Sequence, residues 1–158
     1  MKPIMVVGPT GAGKTSLLKA LGVWDREVRK TESVCFGGEA VDTPGEFYDI
    51  PRFYHALIMT SVKAGLILFL ADPMRHRKTP PGFARALRAP VIGVVSKVDL
   101  ASPEDVEEAK KRLLSSGVRE IYPVSCVRGD GIEKLAERIR QLREREGRNR
   151  TEAPGGLP

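Results

Sequence analysis

The sequence predicts a single α/β domain built on a mostly parallel six-stranded sheet whose second strand is antiparallel. Three observations predict it. Short continuous apolar runs at residues 3–7, 65–72 and 90–96 have the length and lack of alternation of strands buried on both faces. Segments with helical spacing separate these runs, the alternation that builds a parallel sheet. The break in that rhythm is Gly37-Gly38, which joins Ser33–Phe36 to Glu39–Asp42 and reads as a two-residue hairpin turn.

Taken in order, the first strand covers residues 3–7 and leads through a glycine-rich loop into a helix from Lys14 to Leu21, with Gly22 as its stop. Residues 23–32 are polar and poorly periodic and read as loop. The hairpin follows, then Asp42-Thr43-Pro44-Gly45-Glu46, then a segment from Phe47 to Ala64. Its apolar Phe53, Leu57, Ile58 and Val62 suggest a helix beginning after Pro51. Gly65–Asp72 is the most apolar run and the expected central strand. Residues 73–82 hold three prolines and Arg75-His76-Arg77-Lys78, which reads as loop. Phe83–Arg88 can form only a short helix before the strand at 90–96. Ser102 is a cap and Pro103 a first helical residue for a helix ending at Ser116, stopped by Gly117. The last strand is Glu120–Val124. Asp130-Gly131 opens a final helix with Ile132, Leu135, Ile139 and Leu142 on one face. The expected division is a nucleotide-binding domain at 1–146 and a disordered tail at 147–158.

Composition bounds the function. At 158 residues, 41% apolar and 29% charged, the chain can bury a substantial core. No apolar run reaches the roughly 18 residues of a membrane span, and the early first strand leaves no room for a signal peptide. Cys35 and Cys126 have no metal or redox spacing, which suits a reducing cytoplasm, the expected location. The net charge of +6 comes without a basic patch interleaved with aromatics, so no nucleic-acid partner is expected. His55 and His76 are isolated, and Trp24 reads as a packing residue.

Gly8-Pro9-Thr10-Gly11-Ala12-Gly13-Lys14-Thr15-Ser16 carries the chemistry. It reads Gly-x-x-x-x-Gly-Lys-Thr between a strand and a helix, the pattern of a phosphate-binding P-loop. The glycines let backbone close around an oxyanion, and N–H groups with the helix N-terminus face the phosphates. Lys14 would reach the outer phosphates and the Thr15 hydroxyl would hold Mg²⁺. Asp42, 27 residues after Thr15 and at the end of the third strand, is the expected second metal residue, with the Gly45 amide near the γ-phosphate.

Ser96-Lys97-Val98-Asp99 resembles the Asn/Thr-Lys-x-Asp guanine motif, with Ser in the first place. Asp99 can accept hydrogen bonds from guanine N1 and N2, a donor pair adenine lacks on that edge, and the Lys97 stem can lie over the base. Ser125-Cys126 resembles the Ser-Ala segment whose backbone N–H meets guanine O6. Leu100 and Val127 complete the expected base-binding segments. Four motifs in this order resemble the small GTPase superfamily across residues 4–142, which implies a three-layer P-loop NTPase fold of the Ras-like G-domain type. Lys30-Thr31, Asp42-Thr43-Pro44-Gly45-Glu46, Pro81-Gly82-Phe83 and Pro90-Val91-Ile92-Gly93-Val94-Val95 further resemble the EutP/PduV family of ethanolamine and propanediol utilisation. That resemblance implies an association with bacterial microcompartment metabolism.

In this setting Thr31 is the candidate switch threonine, a metal ligand that senses the γ-phosphate. Glu46 stands where Ras-like proteins carry the water-orienting glutamine. Arg26, Arg29 and Arg52 read as surface charges rather than arginine fingers. The expected function is GTP and GDP binding with Mg²⁺, ATP being the weaker candidate, and slow hydrolysis, of order 10⁻⁴ s⁻¹ without an external arginine. Two alternatives stand beside it: an ATP-dependent acetate-kinase-like phosphotransfer, and a nucleotide-regulated adaptor for microcompartment shell proteins or a metabolic enzyme. The chain is expected to be a monomer or weak dimer.

Overall fold

Alternate residues of the first apolar run face opposite layers of the molecule. Ile4 and Val6 join one buried cluster while Met5 and Val7 join another, and none of the four is solvent-accessible. This is the consequence of a two-residue side-chain period in a strand covered on both faces. The computed structural model describes residues 3–9, 11–21, 35–37, 40–42, 52, 54–75 and 81–152.

The strands β1 (Ile4–Val7), β2 (Cys35–Gly37), β3 (Ala40–Asp42), β4 (Leu66–Ala71), β5 (Val91–Val95) and β6 (Ile121–Pro123) form one sheet in the order β2-β3-β1-β4-β5-β6. β1 runs parallel to β3 and β4, β4 to β5, and β5 to β6, whereas β2 runs antiparallel to β3. The helices are α1 (Lys14–Ala20), α2 (Tyr54–Ser61), α3 (Phe83–Ala86), α4 (Pro103–Ser116) and α5 (Ile132–Glu152). Leu17 and Leu18 of α1 and Leu135 and Ile139 of α5 pack with Ile4, Val6, Leu66 and Leu68 on one face. Leu57 of α2, Phe83 of α3, and Ala109 and Leu113 of α4 pack with Met5, Val7, Ile67 and Phe69 on the other. Phe83 meets Phe69 edge to face, with ring centroids 5.8 Å apart. Each large apolar side chain buried this way contributes about 1.5–3 kcal/mol. Three layers result.

α4 starts and stops as its sequence dictates. The Ser102 hydroxyl accepts from Asp105 N at 3.1 Å, Pro103 occupies the first turn, and Gly117 ends the helix at φ 107°.

The structure corrects three boundaries. The register Gly37↔Ala40 places Gly37 inside β2, so the hairpin connection is residues 38–39 and not Gly37-Gly38. An edge strand pairs through backbone alone, which glycine supplies as well as any residue. α2 ends at Ser61, short of Ala64. The chain turns there through Ala64 N donating to Ser61 O, and Gly65 N then donates to Pro3 O at 2.9 Å to enter β4 beside β1. Finally, α5 continues to Glu152, through the stretch at 147–152 expected to be disordered tail. Glu, Arg and Gln favour helix, Gly147 costs only about 1 kcal/mol, and no proline intervenes before Pro154. Residues 153–158 lie outside the described residues, as do the 23–32 loop, Gly22 and residues 76–80. Among the described residues no helix is long and apolar enough to cross a membrane.

Candidate functional site

β1 ends where the phosphate loop begins, in the middle of the sheet. Gly8 is buried against β4, and a Cβ placed on it would lie 3.1 Å from both Leu70 Cβ and Leu70 O. Glycine lets the loop leave the strand at that point without crowding β4. Ala12 N donates to Pro9 O at 3.1 Å to close the first turn. Gly11 and Gly13 then take φ of +82° and +92°, the left-handed region costly for any other residue but Asn or Asp. Gly13 is the N-cap of α1, so no side chain caps the helix's first turn.

Lys14 is buried. Its Nζ donates to Gly8 O and Pro9 O, both at 3.0 Å, which draws the ammonium over the entry of the loop. Thr15 is partly buried on α1 and Ser16 exposed beside it. A buried cation, a glycine-built curl and a helix start without a side-chain cap suit a polyphosphate. The Asp42 Cα stands opposite Val6 in the β1–β3 register, at the carboxyl end of β3 beside the loop. Thr10, Thr31, Gly45 and Glu46 lie outside the described residues.

The base-side segments come from the ends of β5 and β6. Ser96 is buried, its N donating to Ala71 O at 3.1 Å and its hydroxyl to the same carbonyl at 3.4 Å. The serine that stands in place of Asn or Thr therefore ties the end of β5 to β4. Lys97 follows at φ 55°, a left-handed conformation rare for a residue with a long side chain. That backbone turn aims Nζ at Gly11 O, 2.6 Å away, and at Asp72 Oδ2, 3.0 Å away. The sequence suggests a role for the Lys97 stem over a base; its head grips the phosphate loop, 86 residues away. Leu100 N donates to Lys97 O and Val98 N to Val124 O, closing the turn and joining it to the end of β6.

At the end of β6, Ser125 is fully buried. Its hydroxyl accepts from Arg128 N at 3.0 Å and its own N donates to Asp130 O at 2.9 Å. Burial first, then the negative charge of Asp99, push the half-buried Cys126 thiol above its ordinary range. The two segments singled out for base contact thus lie within electrostatic reach of one another. Leu100 and Val127 are 65% and 88% exposed, apolar side chains presented outward beside Asp99 and Cys126.

Three residues of this neighbourhood escaped the sequence motifs. Asp72, at the end of β4, is 1% exposed and accepts from Met74 N as well as Lys97. A carboxylate closing the most apolar run was its one signal. Arg112, on α4, donates to Arg75 O at 2.8 Å and to Asp72 O at 3.2 Å. Arg75 reaches Gly11. Neither arginine has a local pattern that marks it.

A glycine-rich loop between β1 and α1, central in a mostly parallel sheet and flanked by the ends of β4, β5 and β6, defines a P-loop α/β domain. The fold is shared with a solved probable GTP-binding protein, engB: the TM-score is 0.65 at 20% identity, covering 89% of this chain and 97% of that one. The family model described as ethanolamine utilisation – propanediol utilisation matches residues 1–141, and the chain belongs to that family. Among its relatives, the propanediol utilization protein PduV of Citrobacter freundii is 32% identical over 85% of this chain and 91% of its own length. The probable acetate kinase EutP of Escherichia coli is 33% identical over 92% and 94%.

Proposed function

We propose that the chain is a guanine-nucleotide-binding protein of ethanolamine or propanediol utilisation that hydrolyses GTP slowly. The observation that carries this reading is the Lys97 bridge. Its ammonium bonds the Gly11 carbonyl of the phosphate loop, while Val98 N, one residue on, bonds Val124 O and so ties the segment of Asp99 to that of Ser125-Cys126. One short segment thereby couples a phosphate cradle to a carboxylate suited to guanine.

Gly8–Ser16 bind the phosphate chain, with Lys14 on the outer phosphates. Asp99 reads the base and the Ser125-Cys126-Val127 backbone lines its edge, with Leu100 at the rim. Thr15, Asp42 and Thr31 are the residues to hold Mg²⁺, which when bound neutralises phosphate charge. Gly45 would supply an amide to the γ-phosphate and Glu46 would orient water. No arginine finger is marked in the sequence, and slow turnover on a firmly bound nucleotide suits a switch or a nucleotide-regulated adaptor for a shell protein.

Equilibrium binding tests the reading. GTP and GDP should bind in the micromolar range with ATP at least roughly tenfold weaker, and Asp99→Asn should lower the GTP-to-ATP ratio about tenfold by removing an acceptor from guanine. Equal binding of GTP and ATP would sink the guanine assignment. The name of the Escherichia coli relative supplies the rival: acetyl phosphate formed from ATP and acetate faster than GTP is hydrolysed would favour phosphotransfer.

A further inference from the structure

A guanidinium outside every recognised motif lies against the phosphate loop. A Cβ built on Gly11 would stand 3.1 Å from Arg75 Nη2 and 3.5 Å from its Cζ. The turn that carries Arg75 is fixed on several sides. Arg75 N donates to Asp72 O at 3.1 Å, and Met74 N to Asp72 Oδ1 at 2.9 Å. Arg112 reaches over from α4 and donates to the carbonyls of both Asp72 and Arg75. The backbone of Arg75 is thus anchored to α4 and to the end of β4, while its side chain is exposed and extends over Gly11. Gly11 is also the residue whose carbonyl receives Lys97. Two cations from two different strand ends therefore converge on one glycine of the loop.

We propose that Arg75 is a nucleotide-binding residue of this chain, its guanidinium contacting the phosphate chain at the level of the α- and β-phosphates. The proposal rests on the nucleotide-binding reading above. Gly11 lies mid-loop, where P-loop amides cradle the α- and β-phosphates, whereas the lysine at the helix start serves the outer ones. A guanidinium offers planar, paired donors matched to phosphate oxygens. Its contribution falls on phosphates common to GDP and GTP, so it raises affinity for both and leaves base choice to Asp99.

The test compares Arg75→Ala, Arg75→Met and Arg75→Lys in the full chain with Mg²⁺. Fluorescence titration gives the Kd of GDP and GTP at low and high salt, alongside thermal melting. Arg75→Met keeps the apolar stem and removes only the charge. The expected result is a roughly tenfold weaker Kd for both nucleotides in the Ala and Met variants. A shallower salt dependence, partial recovery in Arg75→Lys, unchanged melting and an unchanged GTP-to-ATP ratio should accompany it. Binding by Arg75→Met within twofold of wild type overturns the inference. So does a loss confined to GTP, which moves the residue to the γ-phosphate, or a loss that follows a drop in melting temperature with the salt slope intact. Wild-type protein that binds neither nucleotide fails the functional reading and the inference with it; wild-type binding matched by Arg75→Met fails the inference alone.

Discussion

The phosphate side and the base side of the site are built by different means. The phosphate loop is local: within Gly8–Lys14, Ala12 bonds Pro9, Lys14 bonds Gly8 and Pro9, and two left-handed glycines set the curve. The base side is assembled from a distance. Ser96 holds Ala71 across 25 residues, Lys97 holds Asp72 across 25 and Gly11 across 86, and Val98 leans on Val124. A cradle made of backbone conformation depends on residue type at each position. A platform made of long-range hydrogen bonds depends on the sheet that brings its parts together.

Lys97 is where the two regions join, and its loss should show the largest effect. Lys97→Ala leaves the Asp72 carboxylate, 1% exposed, without its cation. Because the lysine side chain is 34% exposed, the cost falls at the lower end for broken buried pairs, about 3 kcal/mol, read as a shift of the denaturant midpoint. Nucleotide affinity should fall with it. An unfolding free energy within about 0.5 kcal/mol of wild type would show the two regions to be independent.

Lys14→Ala sharpens the contrast from the phosphate side. It should weaken GTP roughly a hundredfold or more, about 2.7 kcal/mol by titration calorimetry, while the base-side bonds stay in place. A smaller effect follows at α4, the helix whose Arg112 supports the turn beside the loop. Ser102→Ala removes the acceptor for Asp105 N and should cost about 1 kcal/mol of stability, with nucleotide binding unaltered.

The smallest effect is a pH response at the base edge. Cys126 is held above its ordinary 9.0 by burial and then by Asp99, so the fold prefers the neutral thiol. That preference is complete below pH 9.0 and is lost as pH rises through the elevated folded value. Tyr122, raised above 10.0 by burial and then by Glu120 with Arg138 opposing, adds to the loss at higher pH. Stability should therefore decline as pH rises above about 9. Cys126→Ala should remove the earlier part of that decline in alkaline melting curves.

The buried strands of the sheet and the phosphate loop were legible because each has a local cause. Ile4–Val7, Leu66–Ala71 and Val91–Val95 are apolar on both faces wherever they are placed, and Gly-x-x-x-x-Gly-Lys-Thr imposes its curve on any strand–helix junction. Ser96 shows the limit. Its place in the guanine motif pointed toward the base, whereas its hydroxyl is turned to Ala71 O. α5 shows another: the charged stretch past 146 looked like a tail, yet helix propensity there meets no breaker before Pro154.

By itself the sequence determined the α/β class, the hairpin beside β3, the caps of α4 and the phosphate loop, all consequences of neighbours along the chain. Tertiary structure alone decided that Lys97 grips Gly11, that Asp72 is buried beneath it, and that Arg112 steadies the turn that lays Arg75 over the loop. Those contacts span tens of residues. A side chain's partner across such a distance is chosen by strand order and register, which no local pattern of residues encodes.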